Sequence, residues 1–138
     1  MFGQYKHTID AKGRLIVPSK LREELGDLFF ITVSPDSCLI IYTKEEWQKV
    51  LDRCDQFQLT DAGGFRTFVG SACQCEPDKQ GRFLLPEKLR AYAGLKEDVI
   101  FIGLGRRGEL WDAARYEAQE AEQLTPDALR AALKELGF

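Results

Sequence analysis

The chain has 138 residues, of which 44% are hydrophobic and 30% are charged, and its formal net charge is −3. A chain of this length can bury one good hydrophobic core, so we expect one domain over residues 1–138. No apolar run approaches the roughly 20 residues that span a bilayer, and residues 1–7 lack the apolar stretch of a secretory signal. We therefore expect a cytoplasmic protein without a membrane partner and without disulfides.

The cysteines and the single histidine give little support to a metal site or to catalysis. Four-thiolate zinc sites usually contain C-x₂-C pairs, whereas Cys73 and Cys75 form one C-x-C beside the isolated Cys38 and Cys54. We interpret all four as small buried hydrophobic residues. His7 has no accompanying G-x-S-x-G or reactive-cysteine motif. The sequence thus predicts no enzyme, no metal, no cofactor and no small-molecule substrate.

The first predicted elements form a strand, a turn, a second strand and a short helix. A strand over residues 5–10 leads into a tight turn, where Gly13 suits a positive φ. The apolar run at 14–17 predicts a second, largely buried strand. Pro18 suits the first position of a short helix that ends at Gly26.

The next segment predicts two strands and an amphipathic helix. Residues 28–33 and 38–42 are strongly apolar and are separated by turn-forming residues. Thr43 and Glu46 match a capping box, which predicts a helix over Lys44 to Arg53. We also predict a short bridging helix within residues 56–70, although Gly63 and Gly64 weaken it.

The second half repeats this order of elements. Residues 71–76 lead into a second turn, strands are predicted at 99–102 and 109–111, and residues 103–108 read as a glycine- and arginine-rich loop. Asp112 is the predicted N-cap of a helix over 113–124.

A last helix is predicted to begin at Thr125 and Pro126 and to carry an apolar stripe of Leu129, Leu133 and Leu136. The sequence leaves open whether this stripe packs on the chain's own core or on a neighbouring subunit.

One 13-residue pattern occurs twice and organises the chain. Asp10-Ala-Lys-Gly-Arg14-Leu-Ile-Val-Pro18-Ser-Lys-Leu-Arg22 returns 68 residues later as Asp78-Lys-Gln-Gly-Arg82-Phe-Leu-Leu-Pro86-Glu-Lys-Leu-Arg90. Two copies indicate two related units rather than a solenoid. The expected organisation is a first repeat at 5–54, a connecting helical segment at 55–71, a second repeat at 72–112 and C-terminal helices at 113–138.

Charge is distributed unevenly although the chain is acidic overall. Residues 1–26 carry five Lys and Arg against three acids, and residues 78–90 carry four against two. Residues 109–138 carry seven acids against three bases. Because the local field follows the distribution of charge rather than the net charge, two basic motifs are compatible with nucleic-acid binding.

The doubled motif resembles the MraZ family of bacterial transcriptional regulators. The resemblance also includes the Met-Phe-Gly start, Pro35-Asp-Ser-Cys-Leu39 and Glu109-Leu-Trp-Asp112. A single copy of the motif would also match AbrB-type modules, in which two chains exchange hairpins. The resemblance implies an α+β, mainly β, fold: a pseudo-twofold swapped-hairpin barrel, AbrB-like and double-psi, with short flanking helices and a helical C-terminal tail.

The resemblance also implies a function. The family forms closed rings of several subunits and binds repeated boxes upstream of its own operon of cell-division and cell-wall genes. For this chain it implies a nucleoid-associated, sequence-specific repressor whose partners are double-stranded promoter DNA and further copies of itself. The candidate DNA contacts are Arg14, Arg82, Lys12, Lys79 and Gln80, and the candidate turn-bracing residues are Asp10, Asp78, Gly13 and Gly81.

Several alternatives remain open at this stage. Arg14 and Arg82 suit guanine edges or phosphates, yet each could instead pair with the aspartate of its own turn, and both roles can hold together. On the short helices, the motif bases Lys20, Arg22, Lys88 and Arg90 read as solvated. Two rival functions are an antitoxin-like protein-interaction module and, more remotely, a barrel enzyme that binds an anionic small molecule.

Overall fold

The computed structural model describes residues 1–57 and 62–138. In chain order its strands are β1 (Phe2–Thr8), β2 (Arg14–Ile16), β3 (Phe29–Val33), β4 (Leu39–Thr43), β5 (Cys73–Cys75), β6 (Arg82–Leu84), β7 (Asp98–Leu104) and β8 (Arg107–Asp112). Its helices are α1 (Ser19–Leu25), α2 (Lys44–Phe57), α3 (Ala62–Gly70), α4 (Glu87–Tyr92), α5 (Ala113–Gln123) and α6 (Pro126–Glu135). The fold is α+β, and helices hold more of the described residues than strands do, so "mainly β" is wrong.

Six strands form one antiparallel sheet in the order β1-β7-β8-β4-β3-β5. Its outer strands β1 and β5 do not pair with each other, so this hydrogen-bonded sheet is open in the part of the chain that the structure describes. The first strand of each half lies beside the third strand of the other half: β1 pairs with β7, and β5 pairs with β3. The two halves of the sequence are therefore joined by strand pairing at both edges of the sheet.

The strands that follow the two Asp-x-x-Gly-Arg turns pair with each other. β2 and β6 form a separate two-stranded antiparallel sheet in which Leu15 lies opposite Phe83. Two further bonds extend the contact, because Val17 N donates to Gly81 O at 2.8 Å and Leu85 N donates to Gly13 O at 2.8 Å. Each turn thus accepts a backbone hydrogen bond from the strand of the other repeat.

Side chains alternate across β2 and β6, as they do on any pleated strand. Leu15 and Phe83 are buried in the main core, whereas their neighbours on both sides along the strands are exposed. Phe83 packs edge-to-face on Phe29 with ring centroids 5.3 Å apart. The same alternation that buries Leu15 and Phe83 therefore puts Arg14 and Arg82 on the outer face.

Two helices cover an aromatic cluster on the face of the six-stranded sheet that lies opposite the main core. Thr43 Oγ1 accepts the hydrogen bond of Glu46 N at 3.2 Å, which confirms the predicted cap of α2. Trp47, on α2, stacks on Phe30 with centroids 5.5 Å apart and also lies against Phe68 of α3. α2 extends to Phe57, beyond the predicted end, and the bridging helix is found as α3; residues 58–61 of that prediction lie outside the described residues.

The predicted loop at 103–108 is wrong, because β7 continues through Leu104 and β8 begins at Arg107. Gly105 has φ 88°, which allows a tight hairpin of two residues. A Cβ at Gly103 would lie 2.5 Å from the backbone nitrogen of Phe2. Gly103 therefore marks the close approach of two strands, and Gly105 lies in the tight turn of a hairpin.

Both tail helices begin at the predicted caps. Asp112 accepts from Arg115 N, and Thr125 accepts from Ala128 N. α5 packs on the sheet through Tyr116, whose ring lies 5.5 Å from that of Trp111. α6 has no buried residue, and its stripe of Leu129, Leu133 and Leu136 is exposed, so within the single chain the stripe is not covered. No helix of 1–57 and 62–138 is long and apolar enough to cross a membrane.

We expect truncation beside the β2–β6 pair to destabilise the fold strongly. Leu85 is 0% exposed and Leu84 is 60% exposed. Leu85→Ala should lower the free energy of unfolding by about 2–5 kcal/mol, whereas the matched Leu84→Ala should change it by no more than about 0.5 kcal/mol. Chemical denaturation measures both, and equal effects would contradict the assignment of the buried face.

Candidate nucleic-acid interface

The first turn is closed by the carboxylate of Asp10. Its Oδ1 accepts from Lys12 N at 3.0 Å and from Arg14 N at 2.9 Å, and its Oδ2 accepts from Arg14 Nε at 2.7 Å. The backbone N–H of Gly13 donates to Asp10 O at 2.9 Å. Gly13 has φ 86°, a conformation that a side chain would strain. One aspartate therefore fixes both the backbone of the turn and the side chain that follows it.

The second turn repeats this geometry closely. Asp78 Oδ1 accepts from Gln80 N and Arg82 N, both at 2.9 Å, and Oδ2 accepts from Arg82 Nε at 2.9 Å. Gly81 has φ 82°. The same five-residue pattern thus forms the same hydrogen-bonded loop in both halves, because the aspartate and the glycine supply the two features that the loop needs.

The arginine of each turn is held at one edge and exposed at the other. The side chains of Arg14 and Arg82 are 55% and 53% exposed. In both, the Nε–H is directed to the aspartate, and among the described residues the terminal nitrogens of Arg14 make no hydrogen bond. The two alternatives are therefore compatible: the aspartates brace the arginines at Nε, and both guanidinium groups remain exposed.

The two turns differ at the position between aspartate and glycine. Gln80 occupies the place of Lys12, and its Oε1 accepts from the terminal NH2 group of Arg82 at 2.7 Å. One terminal nitrogen of Arg82 is thus engaged within its turn, unlike those of Arg14. Lys12 and Lys79 are both exposed beside the turns. The turns share one framework but do not present the same donors.

The surroundings of both aspartates stabilise their ionised form. The backbone N–H of Arg14 and then its side chain hold the pKa of Asp10 below its ordinary value of 3.8. The backbone N–H of Arg82 is the largest cause of the same downward pKa shift at Asp78. Both carboxylates are therefore ionised, and both turns are braced, at neutral pH.

Two arginines that the sequence indicated as solvated contact the turns. Arg22, on α1, donates from NH2 to Gln80 O at 2.7 Å, in the turn of the other repeat. A Cβ at Gly13 would lie 2.8 Å from Cζ of Arg90, so the guanidinium of Arg90 lies against the first turn. Both contacts run from one repeat to the other, so the pattern within a single repeat did not predict them. The recurrence of Lys-Leu-Arg in both copies was the available signal.

The other chemically reactive residues do not gather at the turns. His7 lies edge-to-face on Phe101, with ring centroids 5.6 Å apart, and burial lowers its pKa. Cys38 and Cys75 are buried, and burial raises the pKa of Cys38 to about 12, whereas Cys54 and Cys73 are only half-buried, against the expectation for all four. In 1–57 and 62–138, no three His, Cys, Asp or Glu side chains are grouped to hold a metal ion.

The bracing of the turns should be visible in the titration of the two aspartates. Because their folded-state pKa values lie below 3.8, their stabilising bonds are fully present above that pH and are lost as the pH falls through the lowered pKa. Carboxyl-carbon NMR should place both midpoints below 3.8. Arg14→Ala should raise the midpoint of Asp10 and leave that of Asp78 unchanged. Midpoints at or above 3.8 in the wild type would contradict the geometry.

Comparison with known proteins places the chain in a family. A family model described as "MraZ protein, putative antitoxin-like" matches residues 1–63 and 68–135. A transcriptional regulator MraZ from Thermoanaerobacter sp. (strain X514) is 48% identical over 85% of this chain and 84% of its own length. Another, from Caldicellulosiruptor saccharolyticus, is 42% identical over all of this chain and 99% of its own length. A third, from Ligilactobacillus salivarius, is 48% identical over 88% of each chain. The chain therefore belongs to the MraZ family.

Proposed function

We propose that this protein is a DNA-binding transcriptional regulator whose two Asp-x-x-Gly-Arg turns contact the DNA together. The observation that carries the proposal is the repeated presentation of a half-exposed arginine, held at its Nε by an aspartate of the same turn. The names of the three relatives, each a transcriptional regulator, support the same class of function.

The pairing of the strands supports a swapped-hairpin barrel as the framework. The contacts β1–β7, β3–β5 and β2–β6 each join one repeat to the other. In this proposal the open six-stranded sheet and the β2–β6 pair together enclose the core, with repeats at 5–54 and 72–112 linked by 55–71 and followed by the helices at 113–138. Residues 1–138 then form a single domain.

The braced arginines suit recognition of phosphate or of guanine. A guanidinium has five N–H donors in a rigid fork, so the aspartate can hold one edge while the other edge meets an anion or the O6 and N7 of guanine. An arginine whose rotamer is already fixed loses less entropy on binding. Because Gln80 engages one terminal nitrogen of Arg82, we expect the two turns to contact different groups, with Lys12 and Lys79 on flanking phosphates.

Assembly would compensate for the small number of contacts per chain. A few Lys and Arg contacts to phosphate give salt-sensitive binding, with non-specific Kd values of about 10⁻⁴–10⁻⁶ M. Linking several such units raises avidity by roughly 10²- to 10⁴-fold when their geometry allows simultaneous binding. We therefore propose a homo-oligomer, in the ring form that the family resemblance implies, bound to repeated boxes in the promoter of its own operon as a nucleoid-associated repressor in the cytoplasm.

A protein-interaction module is the second candidate. The words "antitoxin-like" in the description of the matching family favour it. In that function the turn arginines would serve only to close the hairpins, and their removal would leave partner binding intact.

Loss of both turn arginines should abolish the preference for specific DNA. In fluorescence anisotropy with DNA from upstream of the protein's own gene, Arg14→Ala/Arg82→Ala should lose about 1–3 kcal/mol per base-contacting arginine relative to a scrambled duplex. The matched control Lys20→Ala/Lys88→Ala removes two exposed charges from the same repeats and should keep the preference. If the double arginine variant folds and binds as the wild type does, the interaction-module function is favoured instead.

Oligomeric binding predicts a dependence on the spacing of the boxes. Subunits that face one side of the duplex require boxes about 10 bp apart, one helical turn. Insertion of about 5 bp between boxes should therefore weaken binding, and insertion of about 10 bp should restore much of it. Equal affinity at half-turn and full-turn spacing, measured by the same anisotropy titration, would contradict simultaneous binding.

A further inference from the structure

We propose that Arg22 and Arg90 are positioning residues, each of which holds the DNA-contacting turn of the other repeat. Their role in DNA binding rests on the proposed function, but the contacts themselves can be tested in the protein alone. Arg22 on α1 and Arg90 on α4 then act on the protein's own turns rather than on phosphate.

Arg22 joins the two repeats through two nitrogens of its guanidinium. Its Nε donates to Val17 O at 3.1 Å, within its own repeat, and its NH2 donates to Gln80 O at 2.7 Å, in the opposite turn. Hydrogen bonds from an ionised donor are stronger than those between neutral groups. The same guanidinium also lies where a Cβ of Gly81 would be, 2.6 Å from Cζ. Arg22 is thus bound at the base of the second turn.

Arg90 occupies the corresponding place against the first turn. Its Nε donates to Leu85 O at 3.0 Å, and a Cβ at Gly13 would lie 2.8 Å from its Nε and Cζ. Val17 and Leu85 also donate their own N–H groups to the carbonyls of Gly81 and Gly13. Each arginine therefore bonds to the residue after its own short strand, and that residue in turn bonds to the opposite turn. The guanidinium also packs against the glycine of that turn.

The glycines of the two turns have a second structural purpose. Besides adopting positive φ, Gly13 and Gly81 leave the space in which the opposite guanidinium lies. Arg22 donates from Nε and NH2 to two carbonyl oxygens of the protein. These bonds give the basic side chain a structural role at this position that requires no contact with DNA. A lysine could not replace it fully, because one ammonium lacks the separated Nε and NH2 donors of the fork.

A consequence is that each turn depends on an arginine of the other repeat. Loss of Arg22 should loosen the second turn, 78–82, which carries Arg82, and leave the first turn, 10–14, in place. Loss of Arg90 should do the converse. Arg22 has a bond to the opposite turn as well as the close packing, so its loss should have the larger effect.

The first test uses NMR to measure the rates of amide hydrogen exchange in the protein without DNA. Arg22→Ala should accelerate exchange at Gln80 and Gly81 by about tenfold relative to Lys12 and Gly13, as expected for the loss of one local contact. Arg22→Lys should have an intermediate effect. The control Lys20→Ala, on the same helix, should change neither turn. Unchanged exchange in the second turn, or equal acceleration in both turns, would overturn the proposal.

The second test is a double-mutant cycle on binding to the protein's own upstream DNA. If Arg22 acts through the second turn, Arg22→Ala should weaken binding about tenfold in the wild type or with Arg14→Ala, but by less than about twofold with Arg82→Ala. The slope of affinity against salt should stay unchanged by Arg22→Ala.

Two results of the cycle would overturn the positioning role. Additivity with both turn arginines would show that Arg22 does not act through Arg82. A salt slope reduced by about 1 would show that Arg22 contacts a phosphate directly. If the wild type shows no preference for its own DNA, the proposed function fails, and the exchange experiment still decides whether Arg22 holds the opposite turn.

Discussion

The structure depends on the antiparallel pairing of β2 with β6, the two short strands that follow the turns. Leu15 and Phe83 lie opposite each other in this pair, and both are part of the buried core. The pair continues into hydrogen bonds that end on the carbonyls of Gly13 and Gly81. Because a two-stranded sheet is marginally stable alone, this one persists through the core beneath it. The positions of both turns therefore follow from the burial of a few apolar side chains.

This arrangement explains how exposed groups can act as a defined binding surface. Ion pairs between exposed side chains, such as those within the two turns, contribute little stability in water. Their value here is geometric, because the aspartates fix the rotamers of Arg14 and Arg82 while backbone bonds fix the turns. A binding site works best when its donors are held in place before binding, and the local field follows the distribution of charge rather than the net charge. The overall charge of −3 is consequently a poor guide to what the two turns can bind.

Local sequence patterns predicted most of the strands and helices, but they did not predict most of the contacts between the two repeats. Alternation, glycine and proline positions and capping residues indicated most strands and helices because their causes lie within a few neighbouring residues. The loop expected at 103–108 failed because the close approach of β1 to Gly103 depends on a strand about 100 residues away in sequence. The contacts of Arg22 and Arg90 with the turns were not predicted for the same reason, since the turns that they touch belong to the other repeat. Arg22 is nevertheless exposed, as expected, and Arg90 is half-buried. The doubling of the motif predicted two related turns, but not which strand supports each one.

The most direct measurement is an NMR titration of the labelled protein with duplex DNA from upstream of its own gene, with a scrambled duplex as reference. If the two turns form one DNA-contacting surface, the specific duplex should shift the amide signals of residues 10–14 and 78–82 together, at the same protein-to-DNA ratio. The signals of α6 at the acidic C-terminal end should change little in comparison. Shifts confined to one turn, or concentrated on α2, α5 or α6 with both turns unaffected, would contradict this account.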